Sequence, residues 1–205
     1  MAATSYTNLR TAITNWLDDQ TGRYTSLLDD FIDMGEARIY RELRIRAMET
    51  ALNATISGGV IPVPSDYIEL KQAYIDGSSV RVLERKPAEW VLRKYPKRSA
   101  DAKPFFIARD AGNFIFGPFP DSVYTVIGTY YRRLPSLSSS NETNWFTDNA
   151  PDLLLFACLC EAEPFIGNDD RFPLWESRYQ AAKAQIIREE KHEAMSGGPM
   201  RTVAS

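Results

Sequence analysis

The chain has 205 residues, 44% hydrophobic and 12% aromatic, enough for one ordinary domain, or a domain carrying a large insertion, with a real core. A formal charge of −3 removes any global electrostatic reason to bind nucleic acid or an anionic membrane, because both need a basic excess. No charged start leads into an apolar signal core and no apolar run approaches the ~20 residues of a bilayer span, so the expectation is a protein made in a cytoplasm, with no membrane partner.

Leu9, Ala12, Ile13, Trp16 and Leu17 recur at helical spacing behind Thr4 or Ser5, which predicts an amphipathic helix from about Ser5 to Asp19, broken by Gly22. A second helix is expected after a Thr25/Ser26 cap, with Asp29 and Asp30 in its first turn, running to about Arg46. Leu28, Ile32, Gly35, Ile39 and Leu43 form its inner stripe, and Gly35 marks a close crossing with the first or last helix. From Glu49 to Arg133 the period changes. Turn signals at Ser57-Gly58-Gly59, Asp76-Gly77 and Asp110-Ala111-Gly112-Asn113 separate β-branched and aromatic runs. These predict antiparallel strands at Ala51–Ile56, Val60–Val63, Glu69–Ile75, Val80–Leu83, Phe105–Arg109, Asn113–Phe116 and Tyr124–Arg133, with a short helix opened by Pro87 and closed before Pro96. Pro135 to Asn149 reads as an exposed Ser/Asn-rich loop with a Trp145-Phe146 anchor. An almost wholly apolar helix follows from Asp152 to about Ile166. Asn168-Asp169-Asp170 then caps a last helix with the stripe Phe172, Trp175, Tyr179, Ala182 and Ile186, which reaches about Ala194 before Ser196-Gly197-Gly198-Pro199.

The fold class is therefore α+β: a helical bundle formed by the N- and C-terminal helices, carrying a β-rich antiparallel insertion. The expected divisions are 1–48 for the first bundle helices, 49–134 for the insertion, 135–149 for the loop, 150–195 for the last helices and 196–205 for a tail.

Chemistry-bearing patterns are sparse. His192 is the only histidine and sits among Glu189, Glu190, Lys191 and Glu193, with no pocket for a catalytic triad. Cys158 and Cys160 point in different directions along one helix and lack partners at metal-ligand spacing, so they read as reduced core residues. Asp18-Asp19, Asp29-Asp30 and Asp169-Asp170 resemble nuclease carboxylates only in composition; all lie at predicted helix ends. No phosphate-binding loop is present, and no catalytic, metal or cofactor site is assigned. Arg38, Arg41, Arg44 and Arg46 alternate with Glu36, Glu42 and Glu49, which reads as a solvated or intersubunit face. Between Arg81 and Lys103 stand eight basic residues against three acidic ones, so charge is segregated along the chain. That stretch, with Trp90 and Tyr95, supports an alternative function as a nucleic-acid-binding module, although Trp90 and Val91 also suit anchoring the short helix to the sheet.

Several segments, in order, carry a resemblance: Tyr6-Thr7-Asn8-Leu9-Arg10, Asn15-Trp16-Leu17, Phe31-Ile32, Glu36-Ala37-Arg38-Ile39, Arg41-Glu42-Leu43-Arg44, Ile61 to Leu70, Thr129-Tyr130-Tyr131, Asn144-Trp145-Phe146 and Ala150 to Leu155. Together they resemble the head-to-tail adaptors of tailed-bacteriophage necks related to tail tubular protein A, over about Tyr6 to Met200. The resemblance implies a structural virion protein rather than an enzyme, made in the host cytoplasm. It implies a ring of commonly twelve subunits between the portal protein and a tail or nozzle protein, with genomic DNA passing through the lumen without sequence-specific binding. It further implies a portal-binding tail, for which Met195, Pro199, Met200, Arg201 and Val203 are the candidates. Intersubunit or tail-facing candidates are Arg93, Lys94, Lys97, Arg98, Trp145 and Phe146.

Overall fold

The structure, a computed structural model, describes residues 3–195 apart from 78 and 168 and the side chains of 194 and 195. It has an α+β fold with two compact units: Met48–Arg133, and the residues up to Ala47 together with those from Leu134 onward.

In the helical unit, α1 (Tyr6–Leu17) starts where Ser5 accepts a hydrogen bond from the Asn8 N–H and stops at Asp18 in the left-handed region, burying Leu9, Ala12, Ile13 and Leu17. A 3-10 turn, Thr25–Leu27, leads into α2 (Leu28–Glu42). The expected Thr25/Ser26 side-chain cap is not made; Asp29 and Asp30 complement the helix dipole instead. Nor does α2 reach Arg46. Leu43 turns extended and is buried, while the Arg44 guanidinium folds back to donate to the Tyr40 and Leu43 carbonyls at 2.6 Å, satisfying the helix end.

Within 135–149, the expected exposed loop gives way after Asn144 to a short helix, α4 (Trp145–Asn149), α3 (Ala88–Lys94) lying in the β unit. Asn144 caps it, accepting from the Phe146 and Thr147 N–H groups, and the Thr147 hydroxyl accepts from the Asn144 N–H in return. Pro151 then opens α5 (Pro151–Ile166), whose Leu153, Leu154, Leu155, Ala157, Cys158, Leu159, Cys160 and Ala162 are buried around its circumference. This follows from its position, since α1, α2, α4 and α6 (Phe172–Met195) all pack on it. The Gly35 crossing is with α5, not with the first or last helix. A Cβ at Gly35 would lie 2.8 Å from the Cys158 sulfur and 3.0 Å from its backbone nitrogen, so only hydrogen permits this approach.

The β unit is built from β1 (Glu49–Thr55), β2 (Val60–Pro62), β3 (Tyr67–Ile75), β4 (Arg81–Val82), β5 (Glu84–Arg85), β6 (Phe106–Asp110), β7 (Asn113–Gly117) and β8 (Thr125–Arg132), with α3 (Ala88–Lys94) between β5 and β6. One sheet has the order β1-β8-β3-β4 and the other β2-β7-β6-β5. All pairs are antiparallel except β5 with β6, a parallel pair that alternation alone did not reveal. A single extended segment serves both sheets: the Leu83 N–H donates to Ala73 of β3, and the Glu84 N–H to Phe105 on the β6 side. Opposite, Gly58 and Gly59, both at positive φ, turn β1 into β2 through a Ser57–Val60 bridge. The sheets thus share one enclosed core, with Leu52, Ile61, Ala73, Leu83, Phe114, Phe116 and Val126 inward. On β3 a bulge between Leu70 and Gln72 changes the parity, so Leu70, Ala73 and Ile75 all face inward.

Candidate functional site

The charges on α2 that read as a solvated or intersubunit face are mostly internal to the helical unit. Arg38 makes a two-pronged bond to Glu176 of α6 with both distances 2.8 Å, reaches Glu42 at 3.3 Å and Glu161 of α5 at 3.5 Å, and lies over the Tyr179 ring at 4.3 Å. Glu42 also accepts from Tyr179 at 3.0 Å and Lys183 at 2.7 Å. Burial works against the Glu42 anion, but these donors outweigh it and hold the carboxyl below its ordinary range. Three helices are therefore joined through one guanidinium, whose planar fork can meet several carboxylates at once.

Glu36 is a second correction to that face. It is 2% exposed, and its Oε1 accepts from the Asn144 amide at 2.9 Å. Burial pushes its carboxyl up to about 7, and the nearby Asp33 charge adds to this, against bonds from Leu137, Asn144 and Ser136. The cap of α4 and this buried acid thus form one polar junction between α2 and the 135–149 segment.

The aspartate pairs organise helix ends. Asp19 accepts from the Arg23 and Tyr24 N–H groups at 2.9 and 2.8 Å, Asp29 is bonded to Tyr6 and Arg10, and Asp169 to Arg171. Among the described residues no group of three or more His, Cys, Asp or Glu is placed to hold a metal ion. Cys158 and Cys160 are buried free thiols, and burial pushes Cys160 up to about 12. His192 lies exposed on the last turn of α6. Among the described residues no helix is long and apolar enough to cross a membrane.

In the β unit, Val91 is buried with Ala108 and Ile115, and Trp90, Tyr95 and Phe106 pack around them, so α3 is anchored to the sheet as its sequence suggested. The basic side chains of this stretch lie over aromatic rings: Lys94 is 4.8 Å from the centre of Trp90, Lys86 5.4 Å from the same ring, and Arg98 5.0 Å from Phe119. Arg98 also donates to the Phe116 carbonyl at 2.9 Å, while Arg93 and Lys97 are exposed. Cations and aromatic rings thus lie together on this part of the β unit.

The other candidates fall in different places. Trp145 is half-buried and edge-on to Phe146 at 5.4 Å, whereas Phe146 is fully buried, also against Tyr40, and has no surface to offer a neighbour. Pro199, Met200, Arg201 and Val203 lie outside the described residues, as does the side chain of Met195. Sequence reasoning missed Glu36 and Asn144; the only local signal was the N-cap residue type of Asn144 before Trp145-Phe146.

Ion pairs that join helices, a capped buried junction and sheets sharing one core make this an α+β protein. The SU10 adaptor protein family model matches residues 4–203, and the chain belongs to that family. It is accordingly a phage adaptor, a structural component of the virion neck. A search of curated proteins finds no match.

Proposed function

We propose that this chain is the ring-forming adaptor that joins the portal to the tail, in about twelve copies, with genomic DNA passing through its lumen. The family match over nearly the whole chain carries this reading. In support, charge is divided between the units: Met48–Arg133 has twelve basic residues against nine acidic, while the whole chain is net −3. Unlike surfaces of this kind suit docking between successive rings. In this arrangement Arg93, Lys94, Lys97, Arg98 and Trp145 face neighbouring subunits or the tail or nozzle protein. The segment with Met195, Pro199, Met200, Arg201 and Val203 engages the portal.

The test is the mass of the purified chain, alone and mixed with its cognate portal protein, by size exclusion with light scattering, followed by electron microscopy. A ring or a stable complex with the portal is the expected result. A monomer that never engages the portal overturns the proposal.

A further inference from the structure

Among the described residues, the exposed large apolar side chains of the helical unit are three: Trp16, Leu174 and Phe165, at 37%, 48% and 47% exposure. Two of them line one groove. On the central helix α5, the space between α1 and α6 is left open by about 540 Å³, with Trp16 and Phe156 in edge-to-face contact and Leu174 alongside. Along α6 the groove runs from Leu174 to Arg188, roughly 21 Å at the helical rise. Its polar lining is basic, with Arg178 and Arg188 against Asp152, and neither arginine makes an ion pair among the described residues.

Phe165 is elsewhere. It packs on Phe31 of α2 at 5.2 Å and leaves nearly half its surface free at the corner where α5 ends at Gly167. Acids flank that corner in sequence: Glu163 before it and Asp170 after it, neither ion-paired among the described residues. The unit therefore presents an apolar corner with acidic flanks and an apolar groove with a basic rim.

We infer that these are the two halves of a contact between copies of this chain, the Phe165 corner of one copy seating in the groove between α1, α5 and α6 of the next. A contact between two different patches leaves one of each free at the ends of a growing chain of subunits, until rotation closes it. The inference rests on the ring proposed above and adds the surface that builds it. Charge sets the register, and the apolar floor supplies the burial.

Two single variants test it, Arg178→Glu at an exposed position in the groove and Glu163→Arg at a half-buried position beside the corner, each with its thermal melt checked against the parent. Either variant alone opposes like charges, and self-association measured by light scattering is expected to weaken at least about tenfold. An equimolar mixture pairs each corner with a groove of opposite sign, and its assembly is expected to return to within about threefold of the parent. Both variants assembling like the parent overturns this inference and leaves the ring reading standing. Failure of both without rescue in the mixture overturns the pairing of corner with groove. A parent chain that stays monomeric, alone and with its portal, overturns the ring reading and this inference together.

Discussion

Glu36 couples stability to pH in a direction opposite to that of most paired carboxylates. Its ordinary value of 4.5 applies in the unfolded chain, and burial raises it to about 7 when folded. Between these values the folded chain holds a proton that the unfolded chain releases. This contribution is therefore full below about pH 4.5 and is lost as pH rises through 7, amounting to about 3–4 kcal/mol at about 1.4 kcal/mol per unit. Glu42, Glu142, Glu176 and Asp169 are held low and act with the other sign, losing stability only at more acid pH. Glu36→Gln is expected to flatten the fall in melting temperature between pH 5 and pH 8, read as the difference between the two pH values in variant and parent. An equally steep fall in the variant would assign the pH dependence elsewhere. At Gly35 a methyl group conflicts with the backbone of Cys158 as well as its sulfur, and the backbone cannot rotate away. Gly35→Ala is expected to lose about 1–3 kcal/mol in urea denaturation, although alanine is the better helix former by ~1 kcal/mol.

At the scale of elements, Arg38 joins α2, α5 and α6, and its partners Glu42, Glu161 and Glu176 lie at the partly exposed rim of the helical unit. Arg38→Ala leaves three carboxylates facing one another. The expected loss is about 2–3 kcal/mol, toward the low end for a broken buried pair because solvent screens the rim. Arg38→Lys recovers only part of it, since one ammonium nitrogen cannot stand in for Nε toward Glu42, Nη1 toward Glu161 and Nη2 toward Glu176 at once. Chemical denaturation of the three chains decides this, and equal stability of the Lys and Arg forms would refute the role of the planar fork. Local pattern did not disclose the network, because Arg and Glu four apart look alike on a solvated face and beneath another helix. What distinguishes them is Glu176, 138 positions further along the chain. The stripes of α2 and α6 were legible for the opposite reason: apolar periodicity records burial whatever the partner. Leu28, Ile32, Ile39, Trp175 and Tyr179 are all inside. The helix α4 escaped notice because five residues are too few to show a period, and its cap had to be read from Asn144 alone.

For the whole molecule, the decisive fact is where the β unit begins and ends. Glu49 at the start of β1 is paired with Tyr131 near the end of β8, so the chain enters and leaves the unit on adjacent strands, roughly 5 Å apart. An insertion with neighbouring ends puts little geometric demand on its host. The unit also closes its own hydrogen bonding, through Leu83 and Glu84 on one side and the Ser57–Val60 bridge on the other, and encloses its own core. Only part of this was legible beforehand: alternation and turn residues announced strands, whereas the two-residue β5 and its parallel pairing depend on a partner more than twenty positions away. If the division is as complete as this geometry implies, residues 48–133 expressed alone are expected to unfold cooperatively with a near-ultraviolet signal from their packed aromatics. The complementary chain, with Ala47 joined to Leu134 by a short Gly-Ser linker, is expected to keep the helical content of α1, α2, α5 and α6. A β unit that collapses without cooperative unfolding would show that its core is completed by residues outside 48–133. A linked helical chain that melts far below the parent would show the same dependence in the other direction. Both pieces folding would make the insertion exchangeable, so that the contacts of the proposed ring and those of the β unit can be altered one at a time.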